Sequence, residues 1–235
     1  MAENIGLVFI HGAGLGSFIW SELRPMINHP VLFIDLPNRE ADSDANRSLV
    51  FEDYLKSIIH QIEKWNKDKI VLVAHSIGGC LGIKLIDHFA RRVTGFVGIS
   101  AAIPKKGKSF ISCLPFPQKL LMPLILGMLG TKPPQKLIET DLCNDLTNEQ
   151  SLEIVNRFTP EAKSLYTTKV SYKTRPTRNL YVMLTNDKAF PIPVQGKMIK
   201  NLNAQTIVEL ESGHLPMISK PKELAKILND FMSNQ

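Results

Sequence analysis

Apolar residues fall along this chain in two rhythms, short continuous runs and stretches in which they recur every three or four positions. Runs of the first kind cover residues 5–10, 31–34, 70–73 and 95–99, and then 180–184 and 206–210. Their bounded length and their Val, Ile and Leu content predict strands covered on both faces, as in a parallel sheet. The second rhythm predicts helices over about 51–65, directly after the strand at 70–73, near 194–199 and over about 222–231. Strand and helix alternating in this way predict an α/β fold, a mostly parallel, doubly wound sheet with helices on both faces.

The alternation stops after Ala102. Residues 104–177 hold no buried-strand run, carry eight prolines and offer short helical patches alone. Structureless loops of such length are uncommon in compact domains, so this segment is expected to be a helical lid inserted into a core made of residues 1–103 and 178–235. The chain shows no internal repeat and no low-complexity tract.

The strand at 70–73 runs into Ala74-His75-Ser76-Ile77-Gly78-Gly79. A serine on a sharp strand-to-helix turn needs small residues two positions to either side, and Ala74 and Gly78 meet that steric demand. The helical spacing of Leu81, Leu85, Ile86 and Phe89 supplies the helix that such a nucleophile elbow requires. Serine is a poor nucleophile without a base and a group that orients the base. Both are offered in chain order. Asp187 follows the strand at 180–184, and His214 follows the strand at 206–210, placing both beyond strand C-terminal ends where open α/β sheets build their sites. Asp187 also suits a cap on the helix that follows it. Glu211 is the reserve acid, and the segment Ser100-Ala101-Ala102 has no carboxylate. His75, next to the serine on a strand-like backbone, is expected to point away from it.

The first strand ends in His11-Gly12-Ala13-Gly14-Leu15-Gly16. A tetrahedral oxyanion needs preorganised N–H donors, and the backbone amides of Ala13 and Ile77 are the expected pair. A glycine-rich turn after a strand, with Asp35 about twenty residues on, also fits a dinucleotide site, although Ser17 stands where its third glycine belongs.

Composition narrows the partners. The 235 residues are 44% hydrophobic and 21% charged, enough to bury the core of one domain. The net charge is +6, but the basic residues are scattered, and the densest run, Lys105-Lys106-Gly107-Lys108, reads as a solvated loop. No nucleic-acid partner is expected. Cys80, Cys113 and Cys143 form neither a disulfide framework nor a zinc-ligand spacing, so a cytoplasmic protein without metal or cofactor is the expectation. Met1 leads almost at once into the first strand, without the basic region, apolar core and cleavage site of a secretory signal, so export is not expected. The apolar stretch 120–129 is broken by Pro123 and Gly127 and is too short to span a bilayer, so no stable membrane insertion is expected; it suits a pocket wall or a lipid surface.

These blocks together resemble the α/β-hydrolases, nearly end to end, in the branch that holds plant hydroxynitrile lyases and methyl-ester esterases. The resemblance rests on Val8 to Gly14 with Trp20 downstream, on Val73 to Gly79, on Leu184-Thr185-Asn186-Asp187-Lys188-Ala189-Phe190-Pro191, and on Gly213-His214-Leu215-Pro216-Met217. It implies that Ser76, Asp187 and His214 form a catalytic triad and that Ala13 and Ile77 form the oxyanion hole. The lyases typically carry Thr where this chain has Gly12 and Lys where it has Leu215, so ester hydrolysis is favoured over cyanide release. The expected function is hydrolysis of small-molecule carboxylic esters through an acyl-enzyme. Phe110, Leu114, Phe116, Leu121, Met122 and Leu126 in the lid suggest an apolar group on the substrate, although such a stripe also packs cores. The alternatives are a binding protein on the same scaffold with little turnover, a lyase, or a nucleotide-dependent enzyme. The oligomeric state has no signature in the sequence.

Overall fold

In a computed structural model the apolar runs align side by side, all parallel, as a six-stranded sheet in the order β2-β1-β3-β4-β5-β6. Residues 5–39, 44–128, 130–174, 176 and 178–233 are described. Met1, Leu129 and Thr177, which bounded some of the expectations above, lie outside the described residues. The strands are β1 (Ile5–Ile10), β2 (Val31–Phe33), β3 (Lys69–His75), β4 (Val93–Ile99), β5 (Asn179–Leu184) and β6 (Thr206–Leu210). Parallel neighbours need crossovers, and helices α1 (Phe51–Trp65), α2 (Gly78–His88), α7 (Ile192–Leu202) and α9 (Pro221–Ser233) are the long helices of the sheet-forming portions of the chain. A one-turn helix α8 (Pro216–Ser219) precedes α9.

Successive side chains of β3 point to opposite faces and enter two different core layers. Ile70, Leu72 and Ala74 pack with Tyr54, Ile58 and Ile62 of α1, Leu81 and Leu85 of α2, and Met198 of α7. Val71 and Val73 pack on the other face with Trp20 and with Leu224 and Leu228 of α9. The central strands are buried on both sides, which is why they read as continuous apolar runs. At the edge, β6 exposes Thr206 and Ile207, so its apolar content falls there.

Between β4 and β5 the chain forms short elements: a 3-10 turn at Phe110–Cys113, α3 (Gln118–Met128), α4 (Gln135–Leu137), a single π-turn at Ile138–Leu142, α5 (Asn148–Asn156) and α6 (Lys163–Thr167). The expected helical character is present. Its buried side chains join the two layers already described: Phe110, Leu114, Leu165 and Tyr166 enter the first, and Ile138, Ile154 and Phe158 the second. Of the apolar residues read as candidates for contact with substrate, Phe110, Leu114 and Leu126 are core residues, whereas Phe116 and Leu121 face solvent.

One buried ion pair joins this segment to the loop after β1. Glu161 accepts two hydrogen bonds from Arg39 at 2.6 and 2.7 Å and one from the Gly14 amide at 3.1 Å. Arg39 in turn donates to the carbonyls of Leu15 and Leu36. Removing one member of a buried pair strands the other's charge, which is the costly event. Glu161→Ala is therefore expected to lower the free energy of unfolding by about 3 kcal/mol, read from urea denaturation; an unchanged midpoint and slope would show the pair to be dispensable.

Candidate active site

The C-terminal ends of β1, β3, β4, β5 and β6 meet at one edge of the sheet, and each delivers a polar group. Ser76 directly follows β3 with φ of +52°, a left-handed conformation that costs a non-glycine residue about 1–3 kcal/mol. The turn is closed by its surroundings: the Ser76 carbonyl accepts from Gly79 and Ala102 amides at 3.0 and 2.8 Å. Gly78 is required here, since a Cβ would sit 2.7 Å from the carbonyl oxygens of Ile10 and His11. The result is a half-buried hydroxyl at the mouth of a fully buried strand.

Three of the expected residues stand in one line. His214 Nε2 lies 3.1 Å from Ser76 Oγ, and His214 Nδ1 lies 2.7 Å from Asp187 Oδ2. A carboxylate accepts, so Nδ1 carries the proton and Nε2 is left to accept from the serine hydroxyl. Asp187 Oδ2 also accepts from Ser100 Oγ at 2.7 Å, while Oδ1 accepts from the Phe190 amide at 2.8 Å. Burial disfavours the Asp187 carboxylate, but the His214 ring and these hydrogen bonds outweigh burial and hold its pKa below the ordinary carboxylate value. Asp187 does not cap the helix that follows it: the N-cap of α7 is Pro191 with no side-chain cap, and the Asp187 carboxylate instead holds the turn before it through the Phe190 amide. Glu211, the reserve acid, is exposed.

Ala13 and Ile77 flank the same edge, one after β1 and one after Ser76. Among the described residues, neither backbone amide donates to a protein acceptor. The loop that carries Ala13 is pinned on its next residue: Gly14 donates to Glu161, accepts from the Thr159 amide at 3.0 Å, and has φ of +77° with the Phe158 ring where a Cβ would be. The dinucleotide reading of this loop loses its two supports. The turn leads into a 3-10 helix of four residues, Ser17–Trp20, and both Asp35 carboxylate oxygens are taken by Ser17, through its amide at 2.7 Å and its hydroxyl at 2.8 Å. A cavity of about 490 Å³ opens beside this loop, lined by Leu15, Gly16, Phe18, Arg39, Arg157 and Phe158 among others, with Ser76 outside its wall. Among the described residues no cluster of His, Cys, Asp and Glu is arranged to hold a metal ion.

Several site residues escaped the sequence reading. Ser100 was passed over because no carboxylate follows β4, yet its hydroxyl bonds the acid contributed by β5. His75 does point away from the serine, but that takes it underneath the histidine: its Nε2 donates to the His214 carbonyl at 2.9 Å and the two rings are 4.7 Å apart. Asp145, from the segment between β4 and β5, accepts from the Gly213 amide at 2.6 Å and from Ser212 Oγ at 3.1 Å, fixing the loop that carries His214. Phe190 packs on the other side of His214, 5.7 Å between ring centres, and Phe110 packs 6.0 Å from Phe190. His11 is a further buried imidazole, with Nδ1 donating to the Gly12 carbonyl and Nε2 accepting from the Leu36 amide.

A model of the alpha/beta hydrolase family matches residues 7–227 of the chain. Methylesterase 9 of Arabidopsis thaliana is 25% identical over 92% of this chain and 94% of its own length. Polyneuridine aldehyde esterase of Rauvolfia serpentina is likewise 25% identical, over 95% of this chain and 94% of its own. Among solved structures, an extracellular alpha/beta-hydrolase from a Paenibacillus species, described as homologous in structure and function to tobacco salicylic acid binding protein 2, superposes with a TM-score of 0.82 at 22% identity. That superposition covers 96% of this chain and 98% of the other.

The buried imidazoles make stability depend on pH. Burial, then the charge of Arg39, lowers the His11 pKa from 6.5 to about 3, against the opposing bond to Gly12. Burial, then the neighbouring His214, also holds His75 well below its ordinary value. The unfolded chain binds protons that the folded one refuses, so the stability is complete above about pH 6.5 and is lost as the pH falls towards the folded values. Urea denaturation between about pH 6.5 and 5, where unfolded carboxylates are still mostly ionised, is expected to show a slope approaching two protons, about 3 kcal/mol per pH unit. A flat profile over that window would mean that both rings gain protons freely in the folded protein.

Proposed function

The chain belongs to the alpha/beta hydrolase family, and on that premise we propose that it is a carboxylic ester hydrolase working through an acyl-enzyme on Ser76. The observation that carries this reading is the unbroken line from Ser76 Oγ through the His214 ring to Asp187. The names of the relatives, methylesterase and esterase, support an ester substrate, with a methyl ester as the natural first choice.

In the proposed reaction the Ser76 oxygen attacks the ester carbonyl carbon as its proton passes to His214 Nε2. Asp187 holds the ring in the tautomer with Nε2 bare and balances the imidazolium that forms. The carbonyl oxygen, now negative, is received by the Ala13 and Ile77 amides, whose positions cost no rearrangement during the reaction. The C–O bond to the alcohol breaks, His214 gives that alcohol its proton, and the acyl group stays on Ser76. Water then attacks the acyl carbon, losing a proton to His214, and the carboxylic acid departs as Ser76 is reprotonated.

Residues 104–177 serve as the lid in this reading, supported by the chain of rings Phe110, Phe190 and His214. An apolar acyl group against Phe110 and Phe190 fits that wall. Cyanide release finds no support at the position after the histidine, because Leu215 is fully buried and offers no cation.

Purified protein is expected to hydrolyse short p-nitrophenyl esters and to be labelled on Ser76 by a fluorophosphonate, located by mass spectrometry. Ser76→Ala is expected to lose labelling and to lower kcat by on the order of 10⁵-fold, and Asp187→Asn by about 10⁴-fold through the wrong tautomer of His214. Turnover retained by Ser76→Ala would overturn the mechanism. A folded wild type that neither labels nor hydrolyses esters would instead favour a ligand-binding protein on this scaffold.

A further inference from the structure

Helix α3 is apolar on the side that faces water. Its inner stripe is ordinary, with Met122 half-buried and Leu126 in the core. Its outer positions are Leu120, Leu121, Leu124, Ile125 and Met128, 63, 50, 61, 42 and 74% exposed, and Phe116 just before the helix is 71% exposed. Six of the eleven large apolar residues exposed among the described residues thus fall within thirteen positions. The contrast with α1 is informative, because the exposed residues of α1 are Glu52, Lys56, His60, Glu63 and Lys64. A helix resting on a core keeps its outward face polar, and a contiguous outward apolar face marks a surface that is covered in use.

The charge of the chain segment that carries this face selects what covers it. From residue 104 to residue 138 the chain has six lysines, at 105, 106, 108, 119, 132 and 136, and no Asp or Glu. All six are exposed. A seventh, Lys163, places its ammonium 3.6 Å from where a Cβ on Gly127 of α3 would be. Along residues 104–138 the sign of the charges is uniform. We propose that α3 is the docking face for an anionic lipid surface, with Phe116, Leu120, Leu121, Leu124, Ile125 and Met128 entering the headgroup region and the lysines of this segment, with Lys163, meeting lipid phosphates.

Apolar side chains supply burial and lysines supply attraction to the negative leaflet, the combination that holds peripheral helices in an interface plane. The α3 helix is 11 residues long, and among the described residues no helix is long and apolar enough to cross a membrane. It lies on the surface. The lysine stems extend the apolar contact while their ammonium groups stay in the polar layer. Pro123 inside the helix removes one backbone donor and is compatible with a helix held from both sides rather than by its own hydrogen bonds. The inference is independent of the ester-hydrolase reading, since docking is measured without a substrate.

Full-length protein is floated with vesicles of phosphatidylcholine alone and with vesicles holding about a third phosphatidylglycerol. Binding is expected to the anionic vesicles and to fall with added salt. The double variant Leu120→Ser, Leu124→Ser changes two exposed side chains and leaves Leu126 in place, so the fold is kept, and it is expected to lose at least tenfold in vesicle affinity. Lys119→Gln and Lys163→Gln are each expected to lose about fivefold. Lys222→Gln, on α9 over the opposite core layer, is expected to change little. No binding to anionic vesicles overturns the proposal, as does equal weakening by Lys222→Gln, which would mean that net charge alone acts. A dimer in solution that the double serine variant converts to monomer also overturns it and makes the face a self-association surface.

Discussion

The left-handed turn at Ser76 is the constraint on which the site depends. A strand buried on both faces cannot present a side chain to solvent while it remains a strand, so the chain must reverse sharply at its end. The reversal is held by the backbone of three neighbours: the carbonyls of Ile10 at the end of β1 and of His11 just after it leave no room for a side chain at Gly78, and the Ala102 amide, beyond β4, ties the Ser76 carbonyl. Ile10 is fixed by its register with Ala74, His11 directly follows it, and Ala102 stands three residues beyond β4. The strain at Ser76 is therefore carried by the stability of the whole sheet, and a local loop could not hold it.

Parallel register explains why the remaining groups arrive at the same place. All the strands point one way, so every strand end opens on one edge, and the offset of each residue past its strand tunes its reach. Ser76 and Ser100 come immediately after β3 and β4, whereas Asp187 and His214 come three and four residues after β5 and β6. Ser100, like Ser76, has a positive φ, at +39°. The two farther strands need longer excursions to return to the centre, and those excursions are tied down by the segment between β4 and β5. Asn144 donates to the Asn186 carbonyl, and Asp145 receives the Gly213 amide. Glu161 does the same on the opposite side, at Gly14. The segment that reads as an insertion thus supplies polar anchors for three of the loops around Ser76.

This division between sheet and anchors is also the division between what the sequence made legible and what it did not. Strands at 5–10 and 206–210 and the helix at 51–65 have the bounds expected from periodicity, since burial on a regular lattice imprints a regular pattern. Ser76, Asp187 and His214 were legible because each must follow a strand. Glu161 and Asp145 carried no signal: their partners are 147 and 68 residues away in sequence, and nothing local distinguishes them from solvated acids. The direction of His75 was legible, but its partner was not. Alternation along a strand correctly sent its ring to the face opposite Ser76, but it says nothing of which loop passes beneath, and that loop is the one bearing His214.

The same local crowding gives the three imidazoles unequal fates. His11 has a carbonyl on one nitrogen and an amide on the other, a set satisfied by the neutral ring alone. His75 donates one nitrogen to the His214 carbonyl, while its Nδ1 is buried without a hydrogen-bond partner, so a second proton there would be a buried charge facing no acceptor. His214 is different, because the group on its Nδ1 is an ionised carboxylate already satisfied by Ser100 and the Phe190 amide. In the proposed reaction a positive charge appears on the ring at each attack, by Ser76 and then by water, and leaves it at each departure. His11 and His75 are held neutral by burial, and His214 is the ring whose Nδ1 meets a carboxylate. The neutral His75 ring, 4.7 Å from the His214 ring, therefore does more than fill space: it keeps a competing cation away from the carboxylate that His214 needs.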